Sequence, residues 1–148
     1  MTDANILVID DDDDILLSAR LFLKQHFNQV LTCKSPREIN ILLSKNEVDI
    51  ILLDMNYQKG ASDGREGIYW LEHILSIDKD YVVILMTAFG NVELAVQAIK
   101  KGATDFILKP WENEISSTFL NGLNSELNIA KGRHQNYYII FINRKDMF

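Results

Sequence analysis

One cysteine in 148 residues, Cys33, excludes an internal disulfide, and a reducing cytoplasm is the compartment that fits such a chain. Long apolar runs are missing too. The two longest, 81–86 and 137–142, are six residues each, far short of the roughly 20 a membrane helix needs. The N-terminus carries no signal-peptide pattern. Basic excess is lacking: 15 Lys and Arg stand against 21 Asp and Glu, a net charge of −6, which argues against nucleic-acid binding by this segment. No G-x-x-x-x-G-K-[ST] loop and no G-x-G-x-x-G turn occurs, so the two common nucleotide motifs are excluded. No internal repeat or low-complexity segment stands out.

What is present is an unusual beginning. Asn5 to Arg20 read "NILVIDDDDDILLSAR". Four apolar residues run into five aspartates, and a helical pattern begins at Ile15. A charge run standing alone is usually a solvated face. This one lies at the end of an expected strand, where open α/β sheets place their binding sites. A helix start accounts for part of it, because free N–H groups and the positive dipole end favour acids. Asp12 is placed to cap, and Asp13 and Asp14 to fill the first turn. Asp10 and Asp11 are left, and a bound cation would settle them. A calcium loop is not the answer. Asp10, Asp12 and Asp14 supply its first half, but Ile15 replaces the required glycine and Leu21 the bidentate glutamate.

The rest of the chain alternates short β-rich runs with amphipathic stretches. Strands are expected at 5–9, 29–33, 48–53, 81–86 and 105–109. The first helix is expected to bury Ile15, Ala19, Phe22 and Leu23. The second begins at Ser35-Pro36, a capping serine before a proline, and presents Ile39, Leu42 and Leu43. The third shows Ile68, Leu71, Ile74 and Leu75. The fourth shows Val92, Ala95, Val96 and Ile99 and ends at Gly102, where a left-handed residue is expected. A fifth runs from about 111 to 130. Five such βα units imply an α/β fold, a doubly wound five-stranded parallel sheet with helices on both faces. The strands are apolar without alternation, as strands buried on both sides should be. One domain is expected over 1–131, followed by a tail, 132–148, with no clear pattern.

In a parallel sheet the ends of successive strands share one edge. Strand one delivers Asp10 and Asp11, strand three Asp54, strand four Thr87 and strand five Lys109. Carboxylates from two strands make a hard-oxygen site suited to Mg²⁺. Asp54 then has the option of acting as a nucleophile, as carboxylates do in aspartyl phosphates. Lys109 would pair with a phosphoryl oxygen and Thr87 would donate to another. Taken singly, Asp54 reads as a turn residue, Thr87 as a cap and Lys109 as an exposed lysine. Their joint placement at strand ends overturns those readings.

The stretches "ILVIDDDDDI", "VDIILLDM" and "VVILMTAFGNVELAVQAIKKGATDFILKPW" together resemble the receiver domain of two-component response regulators. The last looks most like receivers of the NtrC class, which precede an AAA+ ATPase and a DNA-binding module. The resemblance covers about residues 4–130. It implies a flavodoxin-like strand order 2-1-3-4-5 and a cytoplasmic signalling protein rather than an enzyme with an external substrate. By position, Asp54 is the phosphoacceptor, and Asp10, Asp11, Asp54 and the backbone carbonyl of Asn56 hold Mg²⁺, with Asp12 as the fallback ligand. Thr87 and Lys109 contact the phosphoryl group, the Lys109–Pro110 peptide is cis, and Thr87 and Phe106 form the switch. The implied partners are a sensor histidine kinase and a second copy, through the surface of the fourth helix, fifth strand and fifth helix. The implied output is control of transcription.

One stretch departs from that pattern. "NYQKGASDGREG", 56–67, is about five residues longer than the usual loop, and Gly60, Gly64 and Gly67 are expected to make it flexible. Two other functional classes compete with the receiver. A metal-dependent phosphohydrolase would also use Asp54 as nucleophile, but it would want an acid/base carboxylate where Asn56 stands. A stand-alone interaction module would not need the full set of side chains.

Overall fold

The computed structural model describes residues 2–55, 65–87 and 92–108. Over them strands and helices alternate: β1 (Thr2–Ile9), α1 (Asp13–Leu23), β2 (Phe27–Cys33), a 3-10 turn (Pro36–Glu38) leading into α2 (Ile39–Lys45), β3 (Ile50–Asp54), α3 (Arg65–Ile77), β4 (Val82–Thr87), α4 (Val92–Lys100) and β5 (Asp105–Leu108). Every strand pair is parallel, and the order across the sheet is β2-β1-β3-β4-β5. The expected fifth helix and the 132–148 tail lie outside the described residues.

Period-two alternation sorts each central strand between two cores. Ile6, Val8, Ile50, Leu52, Ile84 and Met86 pack with α1 on one side. Leu7, Ile9, Ile51, Leu53, Val83 and Leu85 pack with α2, α3 and α4 on the other. All twelve are fully buried, and each contributes roughly 1.5–3 kcal/mol of transfer free energy. This is why the strands carry no polar positions between their apolar ones.

The helices keep most of the expected faces and shift some. In α1 the buried residues are Leu16, Ala19 and Leu23, while Ile15 and Phe22 are only half-buried. Capping by Asp12 starts the helix where Leu16 rather than Ile15 meets the sheet. In α4 the contact is made by Ala95 and Ala98, and Val96 is exposed. Two alanines let α4 lie close on the sheet, which turns the bulkier Val96 outward. Gly102 ends that helix with φ of 111°, as its position suggests.

β1 starts at Thr2, three residues before the expected strand. A polar knot explains it. Asn5 donates its backbone N–H to Asp49 Oδ2 at 2.8 Å and its side-chain amide to the Glu47 carbonyl at 2.8 Å, and it accepts from Asn28 at 3.0 Å. These bonds tie β1, β2 and the entry to β3 at the edge opposite the aspartates. Polar residues in such a role are invisible to a search for apolar runs.

Candidate functional site

Register sets the site. Ile9 lies between Cys33 of β2 and Leu53 of β3, so the next residue of each strand, Asp10 and Asp54, emerge side by side. Both are held on the last rungs of the ladder. The Asp10 N–H donates to the Cys33 carbonyl at 3.1 Å, and the Met55 N–H to the Met86 carbonyl at 3.1 Å. Asp10 is fully buried and Asp54 is 3% exposed, the two buried charged residues among those described. Asp11 is exposed. Carboxylate oxygens of Asp10, Asp11 and Asp54 all lie within 4.8 Å of one another.

The five aspartates thereby divide their work. Asp10 Oδ1 accepts from the Asp12 N–H at 2.9 Å, which turns the chain out of the strand. Asp12, at φ −89° and ψ 115°, accepts from the N–H groups of Asp14 at 2.8 Å and Ile15 at 3.4 Å. It is the N-cap of α1, and the carboxylate cluster is formed by Asp10, Asp11 and Asp54. Asp13 and Asp14 fill the first turn, where the positive end of the helix favours them. Asp13 also pairs with Lys34 at 3.1 Å.

The donor set fits a divalent metal. Three hard oxygens lie close enough for one ion with ligands at about 2 Å and some retained water, the habit of Mg²⁺. Without a cation, three carboxylates at this spacing repel one another. The oxygen-only composition also disfavours metals that select sulfur or imidazole.

The remaining expected residues stand as follows. Thr87 closes β4, and its backbone pairs with Leu108, the last described residue of β5. The Thr87 side chain, Asn56, Lys109 and Pro110 lie outside the described residues. Phe106 is 4% exposed and packs in the core that contains Ala95, Ala98 and Ala103. Cys33, beside Ile9, donates from Sγ to the Ser35 carbonyl at 2.7 Å and to Glu38 at 3.3 Å. Burial above all, and Glu38 after it, push its thiol up to about 11, so it is no nucleophile near neutral pH.

Sequence reasoning missed Gly67. It lies in α3 rather than in a flexible loop, and its N–H donates to the Met55 carbonyl at 3.0 Å. A Cβ there would stand 2.6 Å from Met55 Cα and 2.8 Å from its carbonyl oxygen. Glycine is needed for the start of α3 to touch the residue that follows Asp54.

Residues 6–118 match the model of the response regulator receiver domain. The chain belongs to this family. Among solved receivers it is similar to the N-terminal signal receiver domain of a two-component system response regulator from Bacteroides fragilis, with 35% identity and a TM-score of 0.70 over 87% of this chain and 98% of that one. Among curated proteins it is similar to the C4-dicarboxylate transport transcriptional regulatory protein DctD of Rhizobium meliloti, 33% identical over 72% of the chain. It is likewise similar to the transcriptional regulatory protein ZraR of Escherichia coli, 30% identical over 72%. The relatives of this receiver are thus of the NtrC class. It spans only 22% of DctD and 23% of ZraR. No helix among the described residues is long and apolar enough to cross a membrane.

Proposed function

We propose that Asp54 accepts a phosphoryl group from a sensor histidine kinase and that the resulting aspartyl phosphate changes the surface this receiver offers to its partners. The observation that carries this reading is the convergence of Asp10, Asp11 and Asp54 at one sheet edge, two of them buried. A solvated acidic patch has no reason to bury its charges.

In the transfer, an Asp54 carboxylate oxygen forms the new bond to phosphorus. The bond from phosphorus to the histidine nitrogen breaks, and its electron pair returns to the imidazole. Asp10, Asp11 and Asp54, with the carbonyl of Asn56, would hold Mg²⁺. When bound, the ion offsets negative charge on the phosphoryl oxygens. Burial keeps Asp54 fixed for attack, since phosphoryl transfer depends on positioning and charge stabilisation more than on other covalent chemistry. Lys109 neutralises a further oxygen, and Thr87 donates a hydrogen bond to the phosphoryl group.

The switch follows from differential contacts, which bias a two-state element. Thr87 is drawn toward the phosphoryl group, and Phe106 moves with it. In the described state Phe106 is buried in the core that β3 and β4 share with α2, α3 and α4. The surface of α4, β5 and the fifth helix then changes and pairs with a second copy. The NtrC-class relatives point to a cytoplasmic protein with a transcription-activating output; the receiver itself touches no nucleic acid and turns over no external substrate.

The test is phosphate incorporation from a phosphorylated histidine kinase with Mg²⁺. Native protein should take up one phosphoryl group, and Asp54→Asn none. Retained incorporation in Asp54→Asn defeats the assignment, and steady release of phosphate from small esters would favour a hydrolase.

A further inference from the structure

The sheet ends on one side at β2, and that edge is unguarded. β2 has seven residues, Phe27–Cys33, with neither a charge nor a proline among them. The other edge strand, β5, has four and begins with Asp105. Charged side chains, prolines and short length are the usual means of keeping a sheet edge from pairing. β2 uses none of them.

The direction of its backbone groups follows from one bond. The Cys33 carbonyl accepts from the Asp10 N–H, so it faces β1. Successive residues of a strand turn their N–H and C=O groups to alternate sides. Gln29, Leu31 and Cys33 therefore bond to β1, and Asn28, Val30 and Thr32 face outward. Among the described residues, no backbone group of these three bonds to anything beyond the sheet.

The side chains around this edge are partly apolar and open. Val30 and Leu31 are only half-buried, one against each core. On α1, Asp13, Leu17 and Arg20 follow at i, i+4 and i+7, in one row of the helix. Both ends of the row are tied to the β2 edge. Asp13 pairs with Lys34 at 3.1 Å, and Arg20 donates to Thr32 Oγ1 at 2.6 Å. Leu17 lies between them and is 57% exposed, so an apolar side chain overhangs an open strand.

We propose that β2 pairs antiparallel with β2 of a second copy, about a two-fold axis at Val30, joining two sheets into one. Val30 then stands opposite the partner's Val30, and Asn28 opposite the partner's Thr32. Each such pair exchanges both of its backbone bonds. The strand is thus its own complement, as an isologous contact requires. Charge selects the same occupant. The two α1 helices come to lie side by side and antiparallel on one face of the joined sheet. The acidic first turn of each, Asp13 and Asp14, is then beside the basic end of the other, Arg20 and Lys24. Asp14 and Lys24 make no ion pair among the described residues. A uniformly acidic or basic partner would match one end of α1 and be repelled by the other. The contact uses the edge of the sheet opposite β5, so it neither needs nor blocks a pairing through α4 and β5. It does not rest on phosphorylation of Asp54.

The test uses the full chain in EDTA, without phosphodonor, at low ionic strength. Sedimentation equilibrium should show a monomer–dimer association with a Kd below about 100 µM. Amide hydrogen exchange, read residue by residue by NMR, should show Val30 and Thr32 gaining at least about tenfold protection between dilute and concentrated protein. Gln29→Lys sets a lysine at an exposed position of the edge. It should weaken the dimer by at least about tenfold without lowering the unfolding temperature of dilute protein. Asp14→Lys and Lys24→Glu should each weaken it by about fivefold, and the double variant should regain most of the loss. A chain that stays monomeric at several hundred micromolar overturns the proposal. Dimers whose Val30 and Thr32 amides exchange as fast as in the monomer overturn the β2 edge as the contact, and so does unchanged association in Gln29→Lys. A double variant weaker than either single one overturns the antiparallel arrangement. Protection of these amides by an extended Val-Thr peptide, in a chain that itself stays monomeric, overturns the second copy as the occupant.

Discussion

Asp10→Asn separates the two properties of the acidic cluster, because it should stabilise the receiver without metal and weaken its response to metal. The buried Asp10 and Asp54 have oxygens within 4.8 Å. Two unit charges at that distance repel by about 3 kcal/mol at an effective dielectric constant near 20. Polarisation of the surroundings and the other partners of these carboxylates relieve part of this, which leaves about 1–3 kcal/mol. Asparagine keeps the oxygen that accepts the Asp12 N–H, so the turn into α1 survives. For a chain of this size 1 kcal/mol corresponds to about 3 °C. Asp10→Asn in EDTA should therefore melt about 3–9 °C above the native protein.

Mg²⁺ should narrow this gap. A ligand at 100 times its Kd stabilises the state it binds by about 2.7 kcal/mol, or about 8 °C here. The variant offers one fewer anionic oxygen and should gain less than about half of that. Thermal melts monitored by circular dichroism, in EDTA and across a Mg²⁺ series, give both numbers. A variant that melts lower than native in EDTA, yet shifts equally with Mg²⁺, would refute the idea that these carboxylates strain the fold and are relieved by a cation.

Other consequences are smaller in scope. Asp12→Ala removes the cap of α1 and should cost about 1 kcal/mol, with Asp12→Ser restoring most of it. Its Mg²⁺ shift should equal that of the native protein, and a lost shift would make Asp12 a ligand. Gly67→Ala sets a Cβ against the Met55 backbone at 2.6 Å, which should cost about 1–3 kcal/mol in denaturant melts and slow phosphate incorporation at Asp54. Full activity in that variant would show that α3 can retreat freely. Cys33 has a folded pKa raised to about 11 from 9.0, so its contribution is complete below pH 9 and is lost as pH climbs toward 11, at about 1.4 kcal/mol per unit. Tyr81, raised above 10.0 by burial and Asp78, acts in the same direction at higher pH. Between pH 9 and 10, Cys33→Ala should therefore flatten the loss seen in urea melts of the native protein, and a parallel slope would contradict the assignment.

How much of this was legible depends on which force decides each feature. The parallel sheet and the meeting of Asp10, Asp11 and Asp54 were legible, because burial on both sheet faces forces apolar runs, and parallel pairing brings their ends together; the strand order followed only from the resemblance to receiver domains. The capping role of Asp12 was legible from chemistry alone. The phase of α1 and the turned-out Val96 were not. Both follow from packing against a sheet, and periodicity averages over a whole stripe. The polar knot at Asn5 and the contact at Gly67 were hidden for a related reason. Each joins segments distant in sequence, and neither an asparagine nor a glycine announces its partner.

The topology also explains why a longer loop need not disturb the acidic edge. The site is built from strand ends, and its buried members sit on ladder rungs, Asp10 bonded to Cys33 and Asp54 paired with Met86. The segment after β3 enters this geometry at Met55, which is clamped twice: its N–H donates to Met86 and its carbonyl accepts from Gly67. Inserted residues between these anchors change loop-closure entropy only slowly with length. Lengthening between 55 and 67 is therefore expected to be tolerated, whereas a single methyl group at 67 is not. The tolerance for an insertion and the intolerance for a side chain have the same cause, a backbone contact that fixes where α3 begins relative to Asp54.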